Sequence, residues 1–384
     1  MRKLRITFYL SSAVSLRSLP TLKKSGWSDK SVVRDRLRLI ARWLNACRQE
    51  ERTTYMAITL TQLLDKMFAG DEVALARLMT LVEREGREVG PILEAIAPRL
   101  GKAFTVGITG PPGAGKSSVV DRLAALMRKA GKTVGVVAVD PSSPFTGGAL
   151  LGDRIRMTQH YLDKGVFIRS MATRGSHGGL SRATKDVTKL LDAFGRDYVL
   201  IETVGVGQTE LDVMGATDTV LVTIVPEAGD GVQVMKAGLM EIADIFVVNK
   251  ADRDGANRMQ TELTLMLDLK YSNLPHPEPG QPFWRIPVLQ AQALNNIGMT
   301  ELFEALEQHH QYLGESGELQ RRRKVRRREE LMSRVEYEVR RRLTTKARTD
   351  SDFAHFLDEV SDGKIDPHAA SVQILESSVL RERT

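Results

Sequence analysis

The chain has 384 residues, 42% of them hydrophobic, enough for one large α/β core with helical additions. Its single cysteine, Cys47, excludes an intrachain disulfide, and its seven histidines show no metal-site spacing, so neither a thiolate site nor a histidine cluster is expected. The net charge of +7 is uneven: residues 1–55 and 321–348 each hold 13 Lys+Arg against 4 Asp+Glu, while the long middle is mildly acidic, which argues against nucleic-acid binding, and no apolar run is long enough to span a bilayer.

Residues 1–55 are basic, Ser-bearing and poor in acids, a composition that suits an unstructured arm or upstream-start artefact, with Met56 as the first residue, or else a mitochondrial transit peptide. The expected location is accordingly cytoplasmic, or the mitochondrial matrix if the extension is a transit peptide. From Leu60 to Leu100, within a helical segment bounded at 56–100, apolar residues recur at helical spacing (Leu60, Leu63, Leu64, Met67; Val73, Leu75, Leu78, Leu81) and predict two or three short helices. A core follows over 101–313, with apolar strands near 104–108, 134–139, 197–201, 219–224, 245–248 and 284–289 alternating with helices. That alternation predicts an α/β fold with a mostly parallel sheet covered on both faces.

The first strand runs into Gly110-Pro-Pro-Gly113-Ala114-Gly115-Lys116-Ser117-Ser118, followed by a helix from about Ser117 to Ala130. Glycines there let successive backbone N–H groups face a phosphate, and the new helix adds the positive end of its dipole. Lys116 is expected to reach the β/γ-phosphates and Ser117 to ligate Mg²⁺. The strand 134–139 ends in Asp140-Pro, a candidate for the Mg²⁺ shell, or else a turn-initiating side chain before proline. A glycine-rich loop follows with a second carboxylate, Asp153, and with Arg154 and Arg156, suited to rearranging around a γ-phosphate; the alternative for Asp153 is a helix cap. The strand 197–201 delivers Glu202, able to hold a metal-bound water, and three residues on Gly205 offers an N–H to a γ-phosphate; the alternative for Glu202 is a plain turn residue.

The strand 245–248 ends in Asn249-Lys250-Ala-Asp252, where open α/β sheets bind ligands. Asp252 can accept from the N1–H and the exocyclic amine of guanine together, donors that adenine lacks there, so the chemistry favours a guanine nucleotide. Its alternative role is the N-cap of a helix over about 256–269. Pro275 to Pro282 must be a loop, and beyond Gly314 the chain is helical, with a break near Asp362-Gly363. In that 314–384 tail the basic run Arg321 to Arg328 precedes Leu331, Val335, Val339 and Leu343 at four-residue spacing, which predicts a packing or dimerisation helix with a solvated basic face. His309 and His310 are expected to end an exposed helix.

These segments together resemble the methylmalonyl-CoA mutase-associated GTPases, the MeaB/ArgK-type P-loop proteins of the SIMIBI class, over roughly residues 56–375. The resemblance rests on Gly110 to Ser117, Val137 to Pro144, Leu151 to Met157, Glu202 to Gln208 and Asn249 to Asp252. It implies Mg²⁺-dependent GTP hydrolysis, with GTP/GDP contacts from the phosphate loop, Gly205, Asn249, Lys250, Asp252 and the Ala293-Leu294 turn. It implies Mg²⁺-shell roles for Ser117, Asp140, Asp153 and Glu202. It further implies a homodimer that chaperones an adenosylcobalamin-dependent acyl-CoA mutase, the cobalamin being held by the mutase. Two segments depart from the family pattern: Gln292 stands where a serine is usual before Ala293, and Gly231-Val232 replaces a Glu-Leu. No glutamine follows Gly205 directly, so no water-positioning residue is named and slow intrinsic turnover is expected, with Arg156 adding charge stabilisation if its loop closes.

Overall fold

The structure, a computed structural model, describes residues 59–140, 157–160, 162–172, 181–203, 213–226, 239–273 and 282–376. Leu63–Thr384 form one compact unit; of the other, Met1–Gln62, only Thr59–Gln62 are described. The elements in chain order are α1 (Leu60–Phe68), α2 (Glu72–Glu83), α3 (Val89–Ile96), β1 (Phe104–Thr109), α4 (Lys116–Lys129), β2 (Val134–Asp140), β3 (Val166–Ala172) and α5 (Arg182–Phe194). They continue with β4 (Tyr198–Glu202), β5 (Thr219–Ile224), β6 (Ile245–Asn249), α6 (Ala256–Ser272), β7 (Val288–Ala291), α7 (Met299–Glu315), α8 (Glu318–Thr349), α9 (Ser351–Ser361) and α10 (Pro367–Glu376).

The strands form a seven-stranded sheet in the order β3-β2-β4-β1-β5-β6-β7, every pairing parallel. Strands β4, β5 and β6 are buried at every position, because helices cover both faces and a continuous apolar run is what such a strand requires. On one face α4 and α7 contribute Val119, Leu123, Met127, Leu302 and Leu306 to the main core. On the other, α5 buries Val187, Leu190 and Leu191 and packs against α2. From β1 the chain runs outward through β2 and β3, returns through β4, then crosses β1 to β5. The carboxyl end of β1 is therefore the point where connections diverge, the crevice in which open α/β sheets take ligands.

Four expectations need correction. The sheet has a seventh strand, β3, absent from the sequence reading; it is an edge strand, mostly half-buried, and Arg169 in its middle reaches Glu83 at 2.7 Å, so its pattern is not the apolar run of the inner strands. The last strand begins at Val288, and Trp284, expected to open it, instead donates its indole N–H to the Asp244 carbonyl at 2.8 Å. His309 does not lie at an exposed helix end: it is fully buried within α7, its Nδ1 2.8 Å from Thr219 Oγ1 and its ring beside Trp284. His310 stacks on Phe104.

The basic run of α8 is the fourth correction. Arg323 and Arg326 both grip the Asp218 carboxylate, which is fully buried, and Arg322 pairs with Asp244 at 3.0 Å. Arg323 also donates to the carbonyls of Gly101 and Ala103, and Asp218 accepts the Thr105 amide at 3.0 Å. Three arginines thus tie α8 to the amino-terminal ends of β1, β5 and β6, the edge of the sheet opposite the phosphate loop. Burial alone would raise the Asp218 carboxyl, but the two guanidinium groups outweigh it and hold it at about 2. The predicted apolar stripe is present as a pattern, yet Leu331 and Val335 are exposed, and α8 has no buried residue.

Candidate nucleotide site

The phosphate loop leaves β1 through Gly110, whose φ is +135° and whose place leaves no room for a side chain, since a Cβ would lie 1.9 Å from the Thr223 carbonyl oxygen of β5. Gly115, at φ +86°, opens α4 in the left-handed region, and a Cβ there would lie 2.4 Å from Asn249 Nδ2. The two glycines let the loop lie flat against β5 and β6. Lys116 is largely buried, and its ammonium donates to the carbonyls of Gly110 at 2.8 Å and Pro111 at 3.0 Å, so the positive head lies over the loop. Ala114 is buried, Gly113 takes φ +77°, and Ser118 lies in the first turn of α4 beside Ser117.

Ser117 and Glu202 meet although 85 residues separate them: the serine hydroxyl donates to Glu202 Oε1 at 2.6 Å, and both side chains are buried. The parallel register of β1 with β4 sets this up, because it aligns Ile108 with Glu202 just before the phosphate loop. A hydroxyl and a carboxylate side by side are hard oxygen donors, the set that suits Mg²⁺. Asp140 closes β2 at the same edge; its side chain is not described, and Asp153, Arg156 and Gly205 lie outside the described residues.

The base side is built around Asn249 at the end of β6. Its amide donates to the Ala114 carbonyl at 2.8 Å and its oxygen accepts the Ala293 amide at 3.1 Å, so one buried side chain joins the phosphate loop to the turn after β7. Lys250 follows in the left-handed region at φ 58°, unusual for a non-glycine residue and a local strain of the kind found at functional sites. Asp252 is exposed, and α6 is capped by Gly255 at φ +89° with no side-chain cap, so the N-cap alternative for Asp252 is excluded. Leu294 is 76% exposed beside buried Ala293.

Two contacts lay beyond the reach of the motifs. Arg122, on α4, donates to the carbonyls of Ala293 and Leu294, 171 and 172 residues away. His160 is buried, its Nε2 3.3 Å from the Asp121 carboxylate and 3.2 Å from the Asp121 carbonyl on α4, and the adjacent Asp121 raises its pKa. Neither belongs to a recognisable spacing, since each pair meets only when the sheet and its crossover helices assemble.

A phosphate loop at the carboxyl edge of a parallel sheet, a Ser–carboxylate pair beside it and a guanine-type strand end define a P-loop GTPase. The profile of the family described as methylmalonyl Co-A mutase-associated GTPase MeaB matches residues 75–348, and the chain belongs to that family. It is 48% identical over 320 residues to a protein of Pyrococcus abyssi named provisionally as a GTPase, covering 83% of this chain and 97% of that one. It is 34% identical to GTPase ArgK of Escherichia coli, over 83% and 96% of the two chains. It is 31% identical to the mitochondrial methylmalonic aciduria type A homolog of Caenorhabditis elegans, over 85% of each. Among solved structures it resembles one described as LAO/AO transport system kinase, with TM-score 0.57, 29% identity and coverage of 83% and 97%. The protein is a GTP hydrolase, and no helix among the described residues is long and apolar enough to cross a membrane.

Proposed function

We propose that this GTPase acts as a G-protein chaperone of an adenosylcobalamin-dependent acyl-CoA mutase, gating cofactor loading and assisting reactivation. The observation that carries this reading is the family match across 75–348, reinforced by the name of the Caenorhabditis elegans relative. Cobalamin belongs to the mutase in this scheme, and the GTPase works as a homodimer.

In hydrolysis, water attacks the γ-phosphorus of GTP, the bond to the β–γ bridging oxygen breaks, and GDP and phosphate leave. Lys116, already aimed across the loop, takes the charge that grows on the β/γ-oxygens, together with the loop amides. Ser117 and Glu202 would hold Mg²⁺, directly or through its waters, with Asp140 and Asp153 completing its shell. The ion held there would supply neutralisation of phosphate charge. Arg156 and Gly205 act on the γ-phosphate side, Asp252 reads the guanine edge, the Lys250 stem covers the ring, and Asn249, Ala293 and Leu294 shape the base pocket.

The test is a steady-state GTPase assay with and without each acyl-CoA mutase of the organism, paired with a pull-down in the presence of a non-hydrolysable GTP analogue. The cognate mutase should raise turnover more than about tenfold and shift GTP affinity, since linkage makes the two bindings reciprocal. If none changes rate or affinity, the chaperone reading fails and the GTPase remains. A second reading, a metabolite kinase, is favoured by the description of the similar solved structure, and a stable phosphorylated product other than phosphate would decide for it.

A further inference from the structure

The turn after β7 lacks the serine expected at its start: Gln292 is its N-cap and makes no side-chain cap bond. The backbone is nevertheless closed. Gln292 and Ile297 exchange hydrogen bonds at 2.9 and 3.3 Å, and the Asn295 amide donates to the Gln292 carbonyl at 2.9 Å. That closes the turn on itself but does not orient it toward the nucleotide. Orientation comes from two outside side chains, one on each side of the Ala293 backbone. Asn249 accepts the Ala293 N–H, while Arg122 donates Nε to the Ala293 carbonyl at 3.2 Å and Nη2 to the Leu294 carbonyl at 3.5 Å.

Arg122 lies on α4, the helix that begins with Lys116 and Ser117. Its planar guanidinium can present two N–H groups to neighbouring carbonyls in a fixed fork, which an ammonium cannot. The Ala293 carbonyl and the Leu294 amide belong to one trans peptide unit, so they point in opposite directions. A carbonyl drawn toward α4 therefore turns the Leu294 N–H away from it. Asp121, the preceding residue, is engaged elsewhere, with Gln159 and His160, so the grip on the turn falls to Arg122.

We propose that Arg122 is a positioning residue for base recognition: it aims the Leu294 backbone N–H at the 6-carbonyl of guanine, without itself touching the nucleotide. The proposal rests on the guanine reading of the site. It assigns the two ends of the base to different parts of the chain, the 6-position to a turn held by Arg122 and the 2-amino side to Asp252.

The experiment compares wild type with Arg122→Ala and Arg122→Lys, measuring kcat and KM for GTP, for 2,6-diaminopurine riboside triphosphate, in which an amine replaces the 6-carbonyl, and for XTP. In Arg122→Ala the KM for GTP is expected to rise about tenfold, the scale of losing one charge-assisted hydrogen bond, with kcat within about twofold of wild type. Preference for GTP over the diaminopurine analogue should fall by about the same factor, the GTP/XTP ratio should hold, and Arg122→Lys should lie between. A purely structural role would lower kcat and thermal stability and leave 6-position discrimination intact; that result overturns the proposal, as does an unchanged KM in a folded variant. If Arg122→Ala fails to fold, Arg122→Lys carries the test with the same signs. Wild-type protein that does not prefer GTP over the diaminopurine analogue would refute the guanine reading itself, and the proposal with it.

Discussion

Buried His309 gives the protein an acid-sensitive point far from the nucleotide. Its ring nitrogen Nδ1 meets Thr219 Oγ1, Trp284 packs beside it, and desolvation pushes its pKa down to about 4, against 6.5 for a free histidine, despite the attraction of Asp244 at 3.4 Å. Between those two values the unfolded chain binds a proton that the folded one refuses. Stability therefore rises with pH across this window: the contribution is complete above 6.5 and is lost as pH falls toward 4. At about 1.4 kcal/mol per pH unit, the window is worth about 3 kcal/mol. His310, lowered mainly by burial, adds to the same window, whereas raised His160 acts above 6.5 and Asp218 below 4. The test is urea unfolding followed by circular dichroism at pH 4.5, 5.5, 6.5 and 7.5 for wild type and His309→Gln, which keeps a polar partner for Thr219 but cannot titrate. The wild-type curve should fall more steeply below pH 6.5, the difference approaching 3 kcal/mol at the acid end. Parallel curves would refute the assignment of a strongly depressed pKa to His309.

Four further outcomes are expected. Asp218→Asn should destabilise the fold by about 2 kcal/mol or more at pH 7, because it leaves Arg323 and Arg326 without their buried carboxylate, and should lessen the loss of stability between pH 4 and 2; denaturant titration checks both. Lys116→Ala should abolish GTP turnover while circular dichroism stays unchanged, and wild-type-like hydrolysis by the folded variant would sink the phosphate-loop assignment. Asp252→Asn should move preference from GTP toward XTP, since an amide donates to a carbonyl where the carboxylate accepted from an amine; a competition assay with an unmoved ratio would count against it. Gly110→Ala should cost about 3 kcal/mol and abolish nucleotide binding by calorimetry, because the added methyl meets the fixed Thr223 backbone at 1.9 Å.

Much of the chemistry was legible in the chain because each motif is local. Gly110 to Ser117, Glu202 and Asn249 to Asp252 all stand at strand ends, and the apolar runs of β1, β2, β4, β5 and β6 announce themselves since both faces of an inner parallel strand must be hydrophobic. The same rule explains what was missed: β3 at the edge carries Arg169 toward Glu83, and its half-polar pattern does not read as a strand.

Sequence alone determined most of the elements, the phosphate loop and the nucleotide class, because those depend on residue types a few positions apart. Tertiary structure decided which distant groups meet. The hydroxyl of Ser117 finds Glu202 only through the β1–β4 register, and Asn249 joins the phosphate loop to Ala293 only because β6 and β7 lie side by side. The arginines of α8, read along the chain as a solvated face, become ligands of Asp218 and Asp244, and His309 becomes a buried neutral ring. A charge or an imidazole looks the same in sequence whether it faces water or another group, and only packing fixes its solvation, on which its energy depends.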